Sequence, residues 1–158
     1  MFTKVIFKLS TWVEKYRIAH LCSKMTIGKC VSIKSGLQVS RPRNIIIHDN
    51  VSIHSNCTLQ AHAQISIGQN SMLAANCTIV TANHDIKKRG IEAMHTIERT
   101  EVVIGEGCWL GVNVTVLPGV TIGDNSVIAA GSLVTRDMPA SMICMGVPAT
   151  PVRERPSE

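Results

Sequence analysis

The chemistry open to this 158-residue chain gathers around one histidine. His84 stands in "TIVTANHDIKKRG", residues 78–90, between Asn83 and Asp85 and just ahead of the basic run Lys87, Lys88, Arg89. An imidazole has an ordinary pKa of about 6.5, so at neutral pH its uncharged ring can take a proton from an attacking hydroxyl. The ring must then be held in one tautomer, which a carboxylate or a carbonyl can do. Asn83 and Asp85 are candidate contacts for a polar substrate. A loop histidine satisfied by its neighbours fits the same position, and position alone does not choose between the two. His48, His62 and His95 read as surface residues.

Other chemistries find less support. Six cysteines occur, but no CxxC pair and no His/Cys ligand spacing, so no metal site is expected. The net charge of +5 is modest, with basic residues near the N-terminus, at Lys87–Arg89 and at Arg136, Arg153 and Arg155. That balance suits an anionic ligand such as a phosphate better than a nucleic-acid track. With two Trp, two Phe and one Tyr in the chain, no aromatics are interleaved with the charges to stack bases.

The elements that must position His84 follow from an internal repeat. "IGKCVSI", "IHDNVSI", "IGQNSML", "IGEGCWL" and "IGDNSVI" begin at Ile27, Ile47, Ile67, Ile104 and Ile122. Between them an aliphatic recurs every six residues, as in Ile67, Leu73, Ile79 and in Ile104, Leu110, Val116, Ile122, Ile128, Val134. Four residues after an aliphatic comes a small or β-branched side chain, as at Val51, Cys57, Ser71, Cys77, Cys108, Val114 and Ser126. This places Cys57, Cys77 and Cys108 inside as packed, reduced thiols of a cytosolic protein. A helix cannot carry a period of six with turn residues at fixed places; short strands separated by corners can. Gly28, Gly68, Gly105 and Gly123 are expected to take positive φ, and Asn50, Asn70 and Asn125 the left-handed region. Three hexads make a triangular coil, and stacked coils bury a column of Ile, Val and Leu.

The early coils repeat every 20 residues and the later ones every 18, so the early ones carry a two-residue extension at one corner. The coil starting at Ile67 predicts a successor near residue 87, yet the next start is Ile104. About 17 residues are therefore inserted directly after His84, and a loop on a rigid array is a natural seat of function. Ahead of the repeat, Val5, Leu9, Trp12, Val13 and Tyr16 recur at helical spacing with Lys4, Lys8 and Lys15 elsewhere, which predicts a helix packed on the domain. The same helix leaves open a peripheral contact with an anionic membrane. The expected organisation is a helical segment over 1–26, the repeat domain over 27–146 and a C-terminal tail over 147–158.

In "TANHD", "IGEGCWLGVNVTVLPGVTIGDNSVIAAGSLVTRDMP" and "GVPATPVR" the chain resembles the hexapeptide-repeat acyltransferases over roughly residues 27–153. Among them it looks most like the sugar O-acetyltransferases, including the galactoside and maltose enzymes and those of bacterial polysaccharides. The resemblance implies an all-β, single-domain left-handed parallel β-helix with a short N-terminal helix and a protruding loop at about 82–103. It implies acetyl-CoA as co-substrate, a sugar or glycan acceptor of cell-surface polysaccharide biosynthesis, and direct transfer with His84 as general base. His54 falls where the galactoside enzymes carry an Asn near the acceptor. Trp109, Gly111, Val112, Ala130, Gly131, Thr135, Arg136 and Arg153 are matched to the coenzyme groove, with Gly111 letting a ligand approach the backbone and Gly131 allowing close packing. A homotrimer with sites between subunits is implied as well, in the cytoplasm and at the inner membrane face if the helix rests there. One departure is Thr150, where "GVPA" is usually followed by Lys or Arg; Arg153 and Arg155 are the nearest substitutes. An N-acetyltransferase of amino sugars requires the same base and groove. A non-enzymatic scaffold would leave His84, Trp109 and the Gly111 region dispensable. A γ-class carbonic anhydrase needs a second His at ligand spacing after the loop-bearing coil, where this chain has Lys88 and Arg89.

Overall fold

Most rungs of the molecule are strands of two or three residues that turn one of the six-spaced aliphatics inward, and on the first face Ile45, Ile65 and Val102 add a second buried side chain. The computed structural model describes residues 2–157, with side chains of the N-terminal helix described from Trp12 onward. The strands stack in parallel into three faces. The first face holds Thr26–Ile27, Ile45–Ile47, Ile65–Ile67, Val102–Ile104 and Thr121–Ile122. The second holds Ser32–Ile33, Ser52–Ile53, Met72–Leu73, Trp109–Leu110, Val127–Ile128 and Met142–Gly146, closed by the antiparallel Ala149–Glu154. The third holds Gln38–Ser40, Thr58–Gln60, Thr78–Val80, Thr115–Val116 and Leu133–Val134. This is the left-handed β-helix expected from the repeat. Residues 147–158, expected as a tail, include the Ala149–Glu154 strand, which Arg155 ties down by donating to the Gly107 and Asn125 carbonyls at 3.0 and 3.2 Å.

The core is the aliphatic column. Ile47, Ile53, Leu59, Ile67, Leu73, Ile79, Ile104, Leu110, Val116, Ile122, Ile128 and Val134 are all essentially inaccessible, as are Cys57, Cys77 and Cys108. At about 25 cal/mol per Å2 of apolar surface, each fully buried aliphatic stabilises the fold by about 1.5–3 kcal/mol relative to exposure. The turn residues divide into two kinds. Asn50, Asn70 and Asn125 are in the left-handed region as expected. Gly28, Gly68, Gly105 and Gly123 are not, which corrects the reading of these glycines. Their reason is lateral: a Cβ on Gly68 would lie 2.5 Å from the Gly105 carbonyl carbon of the next coil, and the other three are equally crowded by the coil above.

Helix α1, Phe2–Cys22, covers the N-terminal end of the stack. Val5 and Leu9 of the sequence-derived face, and Lys4 and Lys8 away from it, lie outside the described side chains. Trp12, Val13 and Tyr16 face solvent, with Trp12 and Tyr16 stacked on each other at 6.1 Å, which corrects the expected packing face. The inward positions are Glu14, Ile18, Leu21 and Cys22. The first coil has no rung beneath it, so its backbone groups need partners. Glu14 Oε1 accepts from the Gly36 N–H at 2.7 Å, and Arg17 Nη2 donates to the Leu37 carbonyl at 2.8 Å. That demand turns a polar edge of α1 inward. No described helix is long and apolar enough to cross a membrane.

Candidate active site

The corner between the third and first faces is short in every coil but one. In the first coil it holds the short turn Pro42–Asn44, in the second residues 61–64, and in the third it throws out an arm. Thr81 is the hinge of that arm. Its buried hydroxyl accepts from the Ala63 N–H at 2.8 Å and donates to the Gln60 carbonyl at 2.9 Å, while its own carbonyl accepts from the Thr100 N–H at 3.0 Å. The arm thus leaves at residue 82, in line with the expected loop at about 82–103, and His84 lies within it rather than ahead of it. It is a hairpin of Ala82–His84 against Ile97–Arg99, with α2, Gly90–His95, at its tip.

His84 pairs with Ile97 across this hairpin, and its Nδ1 lies 3.0 Å from the Ala93 carbonyl oxygen. A carbonyl only accepts, so Nδ1 carries the proton and Nε2 keeps a free lone pair. This is the tautomer a general base needs. The orienting group comes from α2, not from Asp85. Asp85 Oδ1 instead accepts from the Lys87 N–H at 2.9 Å, and the Asp85 N–H donates to the Thr96 carbonyl at 3.1 Å, so its carboxylate closes the turn beyond His84. Asn83 is exposed and pairs with Glu98. Neither Thr81 nor the Ala93 carbonyl was singled out from sequence. Thr81 breaks the run of apolar residues entering the arm, a signal that could have been read; a backbone carbonyl leaves none.

The residues matched to the coenzyme groove form a separate edge. Trp109 lies on the second face, 47% exposed, between Met72 and Val127. Gly111, Val112, Ala130 and Gly131 follow on the corner between second and third faces, and His54 lies on that corner two rungs below Gly111. Gly111 is buried, its N–H donates to the Ile128 carbonyl at 2.8 Å, and a Cβ there would meet the Ala130 nitrogen at 2.6 Å. Its missing side chain serves coil stacking. Gly131 has φ +72° and open space where a Cβ would be, so it is glycine for its backbone and not for close packing. Thr135 and Arg136 sit exposed on the arm's own corner two coils further on, and Arg153 lies on the terminal strand opposite Ile143. Of the two arginines nearest Thr150, Arg155 spends its Nη1 on the Gly107 and Asn125 carbonyls.

In a triangular cross-section the arm's corner is opposite the second face. One chain therefore presents His84 and Trp109 on opposite sides of the stack. The arm also exposes Ile86, Ile91 and Met94, at 91%, 75% and 69%.

A β-helix of six-residue rungs is the architecture of the hexapeptide-repeat proteins, and comparison with known proteins agrees. The model "Bacterial transferase hexapeptide (six repeats)" matches residues 101–136, and "Hexapeptide repeat of succinyl-transferase" matches residues 44–81. The WcaF protein of Escherichia coli (strain K12), named for an acetyltransferase role in colanic acid biosynthesis, is 36% identical over 129 residues, covering 82% of this chain and 69% of that protein. A maltose O-acetyltransferase structure from Clostridium difficile 630 superposes with a TM-score of 0.83 at 31% identity, covering 90% of this chain and 76% of that one. The hexapeptide-repeat acetyltransferase VCA0836 of Vibrio cholerae O1 biovar eltor, in complex with acetyl coenzyme A, superposes at 0.84 with 28% identity, covering 91% and 79%. The chain belongs to the hexapeptide-repeat acetyltransferases and is an acyltransferase.

Proposed function

We propose that the protein is an acetyl-CoA-dependent O-acetyltransferase acting on a sugar hydroxyl of a cell-surface glycan precursor, with His84 as general base. The observation that carries this reading is the 3.0 Å contact of His84 Nδ1 with the Ala93 carbonyl, which leaves Nε2 as a proton acceptor on an exposed arm. Nε2 takes the proton of the acceptor hydroxyl as its oxygen attacks the thioester carbonyl. The carbon–sulfur bond breaks, and the proton passes from Nε2 to the departing thiolate. Relatives named for maltose O-acetylation and colanic acid biosynthesis support a sugar hydroxyl as acceptor.

The groove for acetyl-CoA runs along the edge of Trp109, Val112 and Ala130 with Arg153 as its cation, and Arg136, on the arm's corner, joins it from a second copy. Because His84 faces away from that edge within one chain, the complete site takes its base from a second copy, and a closed ring of three is the arrangement we propose. His54 and Asn83 then approach the acceptor from the two walls.

Calorimetric titration with coenzyme A and acetyl-CoA, on the wild type and Trp109→Ala, tests the groove without needing the acceptor. One site per chain is expected, with affinity falling about tenfold on loss of the indole contact. No binding at millimolar ligand would overturn the reading.

A further inference from the structure

A second cluster lies on the arm's corner, at the N-terminal end of the stack. A cleft of about 450 Å3 is lined by Lys24, Arg41, Pro42, Arg43 and Asn44. Three of its five lining residues are cations, and none is a carboxylate. Among the described residues the ion pairs are Arg17 with Glu14 and Lys88 with Glu92, so Lys24, Arg41 and Arg43 have no ion-pair partner among those residues.

The backbone there is unusual as well. Arg41 has φ +51° and ψ 60°, the left-handed region. Along the stack that conformation falls mostly to Asn, at positions 50, 56, 70, 76, 113 and 125, which bears it with less strain than a long side chain does. A guanidinium is thus held where Asn or Gly would be easier on the fold. Pro42 follows at the start of the short turn, and Asn44 Nδ2 donates to the Ala61 carbonyl at 2.9 Å, fixing the turn to the next coil. Three like charges around one cleft repel one another unless an anion sits among them.

We infer that this cleft is a binding site for a phosphate or diphosphate group. Guanidinium groups suit phosphate because their N–H fork matches two phosphate oxygens, and Lys24 adds a point charge. The arm leaves the same corner two rungs further along, about 10 Å at ordinary strand spacing. A glycan acceptor bearing a phosphate at one end could therefore anchor here while offering a hydroxyl toward an arm. That placement rests on the acetyltransferase reading; the anion site itself does not. The phosphate has two sources, a phosphorylated acceptor or a phospholipid headgroup.

The test is calorimetric titration of the full chain with inorganic pyrophosphate in the presence of saturating coenzyme A, which occupies any phosphate site in the coenzyme groove. One site per chain is expected. Arg41→Gly removes the guanidinium while relieving the backbone, and Arg43→Gln removes the charge while keeping a polar side chain; each should weaken binding about tenfold, the loss of one charge-assisted contact. Coenzyme A affinity should not change in either variant, which also reports that they fold. No saturable pyrophosphate binding, or binding unchanged in both variants, would overturn the site. Coenzyme A binding with no pyrophosphate binding removes this inference and leaves the enzyme reading; the reverse result does the opposite. Vesicles of phosphatidylglycerol against phosphatidylcholine distinguish the sources. Capture by the former that pyrophosphate competes away assigns the site to a headgroup, and pyrophosphate binding without capture assigns it to a soluble phosphorylated acceptor.

Discussion

The coil stack and the arm obey opposite rules. In the stack the rungs from the second coil onward each bury their six-spaced side chain almost completely, and neighbouring rungs share backbone hydrogen bonds. The arm, residues 82–101, has no buried residue, and three of its large apolar side chains are more than two-thirds exposed. The stack is stable through its own interior. The arm is shaped by local hydrogen bonds and by Thr81 at its root, and its apolar surface is left for another body to cover.

The largest separation between the two regions should come from His84→Ala. Loss of a general base lowers turnover about 10²–10⁴-fold. Since His84 is exposed and outside the core, the thermal midpoint should move by no more than about 2 °C. Turnover against an acceptor panel, beside a melting curve, checks both halves. A fall in turnover matched by a fall in stability would mean that the arm belongs to the folding unit after all.

Leu73→Ala should do the converse. It removes a fully buried side chain from the column and should cost about 2–5 kcal/mol in denaturant unfolding, because neighbouring rungs cannot close the cavity. Ile91→Ser on the arm should change the unfolding free energy of the chain by less than about 0.5 kcal/mol. Its effect should appear in sedimentation instead, as a shift from trimer toward single chains at micromolar concentration. Unchanged mass for Ile91→Ser paired with Met94→Ser would show that the arm's apolar side chains face no partner.

How far each region could be read from sequence follows from the same contrast. The stack was legible because its rule is local: Ile67, Leu73 and Ile79 mark three successive inward positions whatever the rest of the chain does. The arm's position was legible as a missing start between Ile67 and Ile104, and His84 as the residue at its root. Its interior was not, because the group that orients His84 is the carbonyl of Ala93, which any residue would supply. Gly68 and its equivalents were identified as necessary but for the wrong reason, since contact between coils leaves the same letter in the sequence as positive φ. Helix α1 was misread in its facing for a related reason. Apolar periodicity selects Trp12, Val13 and Tyr16, whereas the open rung beneath the stack demands hydrogen-bonding groups and selects Glu14 and Arg17.

That last junction yields the smallest effect and the one most sensitive to pH. The Glu14 carboxylate, bonded by the Arg17 guanidinium and the Gly36 N–H, is held down from 4.5 to about 2. A folded-state value below the unfolded one means that the charged form is favoured by folding. Its contribution is complete above about pH 4.5 and is lost as pH falls from there toward about 2. The pair is still partly open to solvent, so the loss should be small, and it should loosen α1 without opening the stack. Trp12 fluorescence should therefore change between pH 5 and 2.5 before the far-ultraviolet signal of the β-helix does, and Glu14→Gln should abolish that early step. A single transition shared by both probes in the wild type would mean that α1 and the coils unfold as one body, with the arm left as the sole part of the molecule that stands apart from the core.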